Sequence, residues 1–329
     1  MQTAYNIVEQ LDKNSLHDYY RGMVLIRTFE ERAAEQYTLG KIRGFLHLYI
    51  GEEAIAVGVI SSLQPQDYIA THYRDHGHAL ARGMGTREVM AELFGKATGT
   101  TGGIGGSMHL FDASRNFVGG YAIVGGQLPI AVGLGFAASY KLEDRISVCF
   151  VGDGALNEGE FHESMNMASI WKLPVLFVCE NNLYGMGMPV EDALAKREIY
   201  KLAEAYEMPS AQVDGMDVLS VREATQSAVE HVRSGQGPFF LEAKTYRFRG
   251  HSVADPSEYR TRVEERRWQH EDPILCYKEW LLANSLVTEE ELRLMDEDAD
   301  REVDEAIRFA EESPAPSLEA LRRNVYAGS

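Results

Sequence analysis

Two apolar runs joined by one helical segment constrain this chain more than any other feature. Residues 145–154 (RISVCFVGDG) and 173–182 (LPVLFVCENN) each carry an unbroken apolar stretch. Such runs, bounded by Gly, Pro and Asn, fit strands buried on both faces of a parallel sheet. Between them, residues 158–171 place Phe161, Met165 and Ala168 on one helical face. A strand, a helix and a strand in so short a span form a βαβ unit, whose crossover is right-handed. A helix near 220–233 followed by PFFLEAKTYRF (238–248) predicts a further unit. The expected class is α/β, a mostly parallel sheet with helices on both faces.

Composition narrows the function classes. The 329 residues are 45% hydrophobic, enough for a large core, and the net charge is −18. A field that acidic repels nucleic-acid phosphates and anionic lipid, so neither is an expected partner. Three cysteines (Cys149, Cys179, Cys276) are too few for a disulfide framework and point to a reducing compartment. Cys149 and Cys179 fall inside the two strand patterns and read as small hydrophobes, and no Cys/His set has zinc spacing. The N-terminal residues lack the apolar stretch of a secretory signal, and Leu128–Tyr140 is too short and Gly-rich to span a bilayer. The expectation is a cytoplasmic, bacterial protein, with a trimmed organellar form as the alternative.

Helical extensions flank the sheet region. Residues 15–39 carry Met23, Ile26, Phe29 and Ala33 at helical spacing, with Ser15 and Asp18 placed as a capping box. Residues 1–40 are therefore expected as a helical arm, 41–272 as the α/β domain and 273–329 as an acidic helical segment. In the last, TEEE (288–291) is a capping box, ESPAPS (312–317) a linker, and the acids of 295–306 a solvated helix face. GLGFAA (133–138) reads as close helix packing, and GGIGGS (102–107) as a flexible loop.

The chemistry gathers at the strand ends. Asp153 ends the first strand pattern and Asn182 the second, 29 residues apart. Neighbouring parallel strands end about 5 Å apart, so both side chains face the crevice above the sheet. A carboxylate and a carboxamide are hard oxygen donors suited to a Mg²⁺ that also binds phosphate oxygens. Gly152 and Gly154 let backbone approach a diphosphate, and the next helix offers a positive N-terminus.

GDG followed about thirty residues later by NN is the thiamine diphosphate signature, and GDGALNEGEFHESMNMASIWKLPVLFVCENNLYGMG (152–187) resembles the alpha subunits of the pyruvate dehydrogenase component of 2-oxoacid dehydrogenase complexes. The resemblance runs from about Tyr19 to Ser313 and takes in GFLHLYIGEEA, YRDHGHAL, ELFGKATGTTGGIGGSMH, GGYAIVGGQLPIAVG and TYRFRGHSVADPSEYRTR. It implies the thiamine diphosphate-binding fold and Mg²⁺ held by Asp153, Asn182 and the Tyr184 carbonyl. Gly154 and Ala155 would line the diphosphate, and Tyr73 and Arg74 would reach its phosphates, the Arg fork being suited to them. Val124 would support the aminopyrimidine, His251 would stand near the reacting centre, and His47 matches the substrate-associated position. His72, His76, His78 and His162 read as packing or surface residues.

The implied reaction is decarboxylation of pyruvate with transfer of the acetyl group to the lipoyl domain of a dihydrolipoyl acyltransferase, giving acetyl-CoA and CO₂ in the complex. A beta subunit would supply the other half of the site in an α2β2 heterotetramer. Ser252 and Ser257 match the loop phosphorylated in mitochondrial relatives, but this loop is one residue shorter and regulation there is not expected. The branched-chain 2-oxoacid and acetoin enzymes are the alternatives in class. A nicotinamide-dependent Rossmann dehydrogenase would need GxGxxG after its first strand, which is absent, and a silent scaffold subunit would have no use for Asp153.

Overall fold

The computed structural model describes residues 12–323. Residues 1–11 and 324–329, the outer ends of the expected arm and tail, lie outside the described residues. The chain opens with α1 (Lys13–Thr38) and α2 (Glu53–Ile60), then β1 (Tyr68–His72), α3 (His76–Ala81), α4 (Thr86–Leu93), β2 (Phe117–Tyr121) and α5 (Gln127–Tyr140). The βαβ unit follows as β3 (Ser147–Gly152), α6 (Gly159–Ile170) and β4 (Val175–Asn181). A small hairpin, β5 (Tyr184–Gly185) and β6 (Met188–Pro189), leads to α7 (Val190–Ala193), β7 (Ser210–Asp214), α8 (Val218–Arg233) and β8 (Phe239–Lys244). The rest is helical: α9 (Arg262–Gln269), α10 (Pro273–Ala283), α11 (Glu289–Glu312) and α12 (Leu318–Arg323).

Six strands form one parallel sheet in the order β2-β1-β3-β4-β8-β7. Side chains alternate along a strand, so a strand covered on both sides feeds two cores. Along β3, Val148 and Phe150 enter one core, with α1, α2, α8 and α11 residues; Cys149 and Val151 enter the other, with α5 and α6 residues. Helices thus cover both faces. Phe161, Met165 and Ala168 are the buried face of α6, as their spacing predicts. Gly135 of α5 packs so closely on β4 that a Cβ there would come within 2.5 Å of Val175 Cγ2, so the GLGFAA segment is close helix packing.

Several local expectations change. The N-cap of α1 is Asp12, whose carboxylate accepts from the Ser15 backbone N–H at 2.7 Å; Ser15 itself lies inside the helix. The GGIGGS loop wraps a buried anion: Glu92 accepts from the backbone N–H groups of Thr101, Gly103, Gly105 and Gly106 at 2.8–2.9 Å. The Thr288–Glu291 capping box forms on α11 as the sequence predicts. The acids of α11 lie on its outer face, as expected, where Asp304 pairs with Arg32, Glu305 with Arg87 and Glu311 with Lys41, while Val303, Ala306 and Ala310 form its buried face. Among the described residues no helix is long and apolar enough to cross a membrane.

The topology locates the crevice. From β1 the chain crosses to β2 on one side, and from β3 it crosses to β4 on the other. Ligands of open α/β sheets bind outside the carboxyl ends of strands at such a reversal. Here the reversal lies between the ends of β1 and β3.

Candidate active site

Each strand tip around the reversal delivers a polar residue. β3 and β4 are direct neighbours with Gly152 opposite Glu180, so Asp153 and Asn182 emerge side by side. The Asn182 backbone N–H donates to Asp153 Oδ1 at 3.2 Å, and both residues are buried. The other oxygen, Asp153 Oδ2, is buried with no hydrogen-bond partner among the described residues. Burial pushes the Asp153 pKa up from 3.8 to about 6, against the pull of the Asn182 N–H and Arg247. This is a carboxylate short of positive charge.

A cation already sits against the neighbouring oxygens. Arg247, at 1% exposure, donates through Nη1 to Asn182 Oδ1 at 3.1 Å and to the Tyr184 carbonyl at 3.2 Å. Among the described residues no group of three or more His, Cys, Asp or Glu is placed to hold a metal. A divalent ion here would therefore rest on one carboxylate, one carboxamide and one carbonyl, an all-oxygen set that suits Mg²⁺. The orphaned Asp153 oxygen and the two acceptors gathered around a guanidinium fit that ion.

Asp153, Gly154 and Ala155 form a 3-10 turn directly after β3, so α6 begins only at Gly159. The expected helix N-terminus is thus displaced, and Glu158 stands at its cap, lining the cavity. Of the two glycines, Gly154 is the tight one: a Cβ there would lie 3.1 Å from Gly185 Cα, whereas at Gly152 nothing is within 4 Å. The cavity of about 210 Å³ is also lined by Tyr73, Arg74, Val124, Tyr184 and His251. His47 does not line it. Its ring stands behind, 4.6 Å from Tyr73 and 5.0 Å from His251, centre to centre.

Arg74 is less free than its motif implies. Its Nη1 donates to the Leu48 carbonyl at 2.8 Å and its Nη2 to the His251 carbonyl at 2.9 Å, while Nε lies 3.5 Å from Glu52. Burial, with Arg74 next, lowers the pKa of His47 to about 2 and of His251 to about 3, so both imidazoles are neutral. The Nδ1 atoms of both rings are buried without partners among the described residues.

The four histidines expected as packing or surface residues, His72, His76, His78 and His162, divide. His72 lines the cavity, with Nε2 2.5 Å from Glu180 and Nδ1 accepting the Arg74 N–H. That tip position was not legible as functional. His76 is buried between Glu30 and Ser107, His78 is buried against Glu180, and His162 is paired with Tyr206 at the surface. Sequence reasoning also passed over Arg247 and Glu52, although each lies inside a quoted motif. The buried Glu52 accepts from Asn182 Nδ2 at 2.9 Å. Arg260 steadies the assembly: it donates to the carbonyls of Arg247 and Arg249 and lies over the rings of Tyr184, Tyr246 and Tyr259.

A sequence model of the family described as "Dehydrogenase E1 component" matches residues 21–319. The chain belongs to that family. Among its relatives, the "Pyruvate dehydrogenase E1 component subunit alpha" of Porphyra purpurea is 45% identical, covering 96% of this chain and 94% of its own length. The protein of the same name from Zymomonas mobilis is 47% identical over 96% of this chain and 90% of its own. A mitochondrial one from Sminthopsis macroura is 44% identical over 94% and 85%.

Proposed function

We propose that this E1 chain is the alpha subunit of a pyruvate dehydrogenase component, which uses thiamine diphosphate and Mg²⁺ to decarboxylate pyruvate and passes the acetyl group to the lipoyl domain of a dihydrolipoyl acyltransferase. The observation that carries this reading is the joined pair of strand tips. Asp153 and Asn182 are bonded to each other, and the Asn182 and Tyr184 oxygens turn to one cation. Asp153, Asn182 and Tyr184 would hold the Mg²⁺, and residues 41–272 would be the cofactor-binding part, between the flanking segments 1–40 and 273–329.

When bound, thiamine diphosphate supplies the electron sink that breaking a bond next to a carbonyl requires. This chain's residues bind and orient. Gly154 and Ala155 border the diphosphate space, and Arg247 and Arg74 give it a positive wall for phosphate and for the anionic 2-oxo acid. Tyr73 and Val124 border the same cavity from the β1 and α5 sides. His251, neutral and with an Nδ1 that has no partner among the described residues, can share a hydrogen bond at the reacting centre without adding charge. His47 backs Tyr73 and His251 and so shapes the substrate side.

The cavity is smaller than the roughly 300–1,000 Å³ of a site that encloses a whole drug-sized ligand. That supports a site completed by a second chain, the beta subunit of an α2β2 assembly. Three free cysteines, two of them buried, support a reducing, cytoplasmic setting. The test is Asp153→Ala copurified with the beta chain, measuring bound thiamine diphosphate and CO₂ release from pyruvate, 2-oxobutyrate and branched 2-oxo acids. The expected result is loss of cofactor and of all release, with pyruvate the best substrate of the wild type. Retention of both by the variant would overturn the proposal.

A further inference from the structure

An ion ligated by a carboxamide needs its oxygen, and a carboxamide can present either end. Rotating the Asn182 amide by half a turn exchanges Oδ1, which has lone pairs, for Nδ2, which carries two N–H donors and offers no lone pair to a cation. The shapes of the two ends are nearly the same, so packing alone does not choose between them. Something hydrogen-bonding must.

Behind Asn182 stands Glu52. Its Oε1 accepts from Asn182 Nδ2 at 2.9 Å, on the side away from Arg247, whose Nη1 donates to Asn182 Oδ1 at 3.1 Å. A flipped amide would set two acceptors against each other at Glu52 and two donors against each other at Arg247. The Arg247 contact is made to the same oxygen an ion would take, so a bound ion competes with it for that oxygen's lone pairs and the two positive charges repel. The Glu52 contact lies on the other end of the amide and persists whatever the oxygen binds. Burial raises the Glu52 pKa to about 7, and the Arg74 guanidinium beside it favours the ionised form. An ionised carboxylate carries no donor, so in that form it accepts from one polarity of the amide only.

The fold holds Glu52 there firmly. It is fully buried, it is the N-cap residue of α2, and it follows Gly51, whose φ is +101° and where a Cβ would come within 2.3 Å of the Tyr246 carbonyl oxygen. Its second oxygen faces Arg74 Nε at 3.5 Å. Taking Asn182 as a ligand of the Mg²⁺ proposed above, we infer that Glu52 is a positioning residue that locks the Asn182 carboxamide with its oxygen toward the ion. It touches neither ion nor substrate.

Two variants separate contact from charge. Glu52→Asp keeps the charge and withdraws the acceptor by one methylene; Glu52→Gln keeps the reach and an acceptor oxygen but removes the charge. Both are purified with the beta chain, and Mn²⁺ affinity is read by electron paramagnetic resonance at saturating thiamine diphosphate, with Asp153→Ala as reference. Loss of an outer partner of a metal ligand weakens metal binding by about 10–100-fold. Glu52→Asp is therefore expected to raise the Mn²⁺ dissociation constant at least about tenfold, and Glu52→Gln several-fold less, with the KM for pyruvate unchanged at saturating Mn²⁺. If Glu52→Asp binds Mn²⁺ as the wild type does, or Glu52→Gln loses as much as Glu52→Asp, the positioning role is overturned. If Asp153→Ala itself binds Mn²⁺ normally, it is the metal-site reading that fails, and the two failures are distinct.

Discussion

Acid should destabilise this protein through His47, by an amount that the burial of its ring sets. The residue is 6% exposed, and burial with the Arg74 guanidinium takes its pKa from 6.5 to about 2. Folded, the ring stays neutral; unfolded, it titrates normally, so below pH 6.5 the unfolded chain binds the extra proton. The contribution to stability is full above pH 6.5 and is lost progressively as pH falls from 6.5 toward 2. At 1.36 kcal/mol per pH unit the loss is about 1.4 kcal/mol at pH 5.5 and about 2.7 kcal/mol at pH 4.5. Buried acids oppose it: Asp153 and Asp75, with pKa values raised to about 6 and about 7, hold protons in the fold that the unfolded chain would release, and so favour folding as pH falls. The raw profile mixes both signs. The difference between wild type and His47→Gln isolates the one ring. Urea unfolding followed by tryptophan fluorescence at pH 7.5 and 5.5 should show the wild type losing about 1.4 kcal/mol more than the variant. Equal losses would mean that the ring protonates in place, and the reasoning from burial would be refuted.

Two further perturbations test the support around the site. Gly77→Ala would put a Cβ 2.2 Å from the Tyr49 ring, which is fully buried and donates its hydroxyl to Glu180. Overpacking of this kind costs about 1–3 kcal/mol, so a lowered urea midpoint is expected, and an unchanged one would show that Tyr49 has room to move. Glu92→Gln replaces an anion that accepts four backbone N–H groups by an amide whose own N–H₂ opposes some of them. A loss of about 2–3 kcal/mol is expected, together with faster amide exchange at residues 101–106; unchanged protection there would show that the loop holds itself.

The parts of the fold legible beforehand were those whose physics is local. The runs of β3 and β4 had to be buried on both faces because nothing polar interrupts them, and the spacing of Phe161, Met165 and Ala168 could only be a helix lying on them. The cap of α1 was misplaced by three residues because Asp12 and Ser15 are both good capping residues, and only backbone geometry decides between them. The GGIGGS loop read as flexible because its anchor, Glu92, is outside it in sequence.

Residue order alone therefore determined the βαβ unit and the oxygen donors Asp153 and Asn182 at its two tips, since strand period and crossover length leave those positions no other place. Tertiary structure decided everything that depends on a partner far along the chain. Arg247 comes from the end of β8 to sit on Asn182 and Tyr184, Glu52 comes from the start of α2 to turn the Asn182 amide, and His47 is set behind Tyr73 rather than in the cavity. A hydrogen bond or a buried charge depends on distance in space. The separations of 65 and 130 residues between Arg247 or Glu52 and Asn182 leave no periodic trace from which that distance could be read.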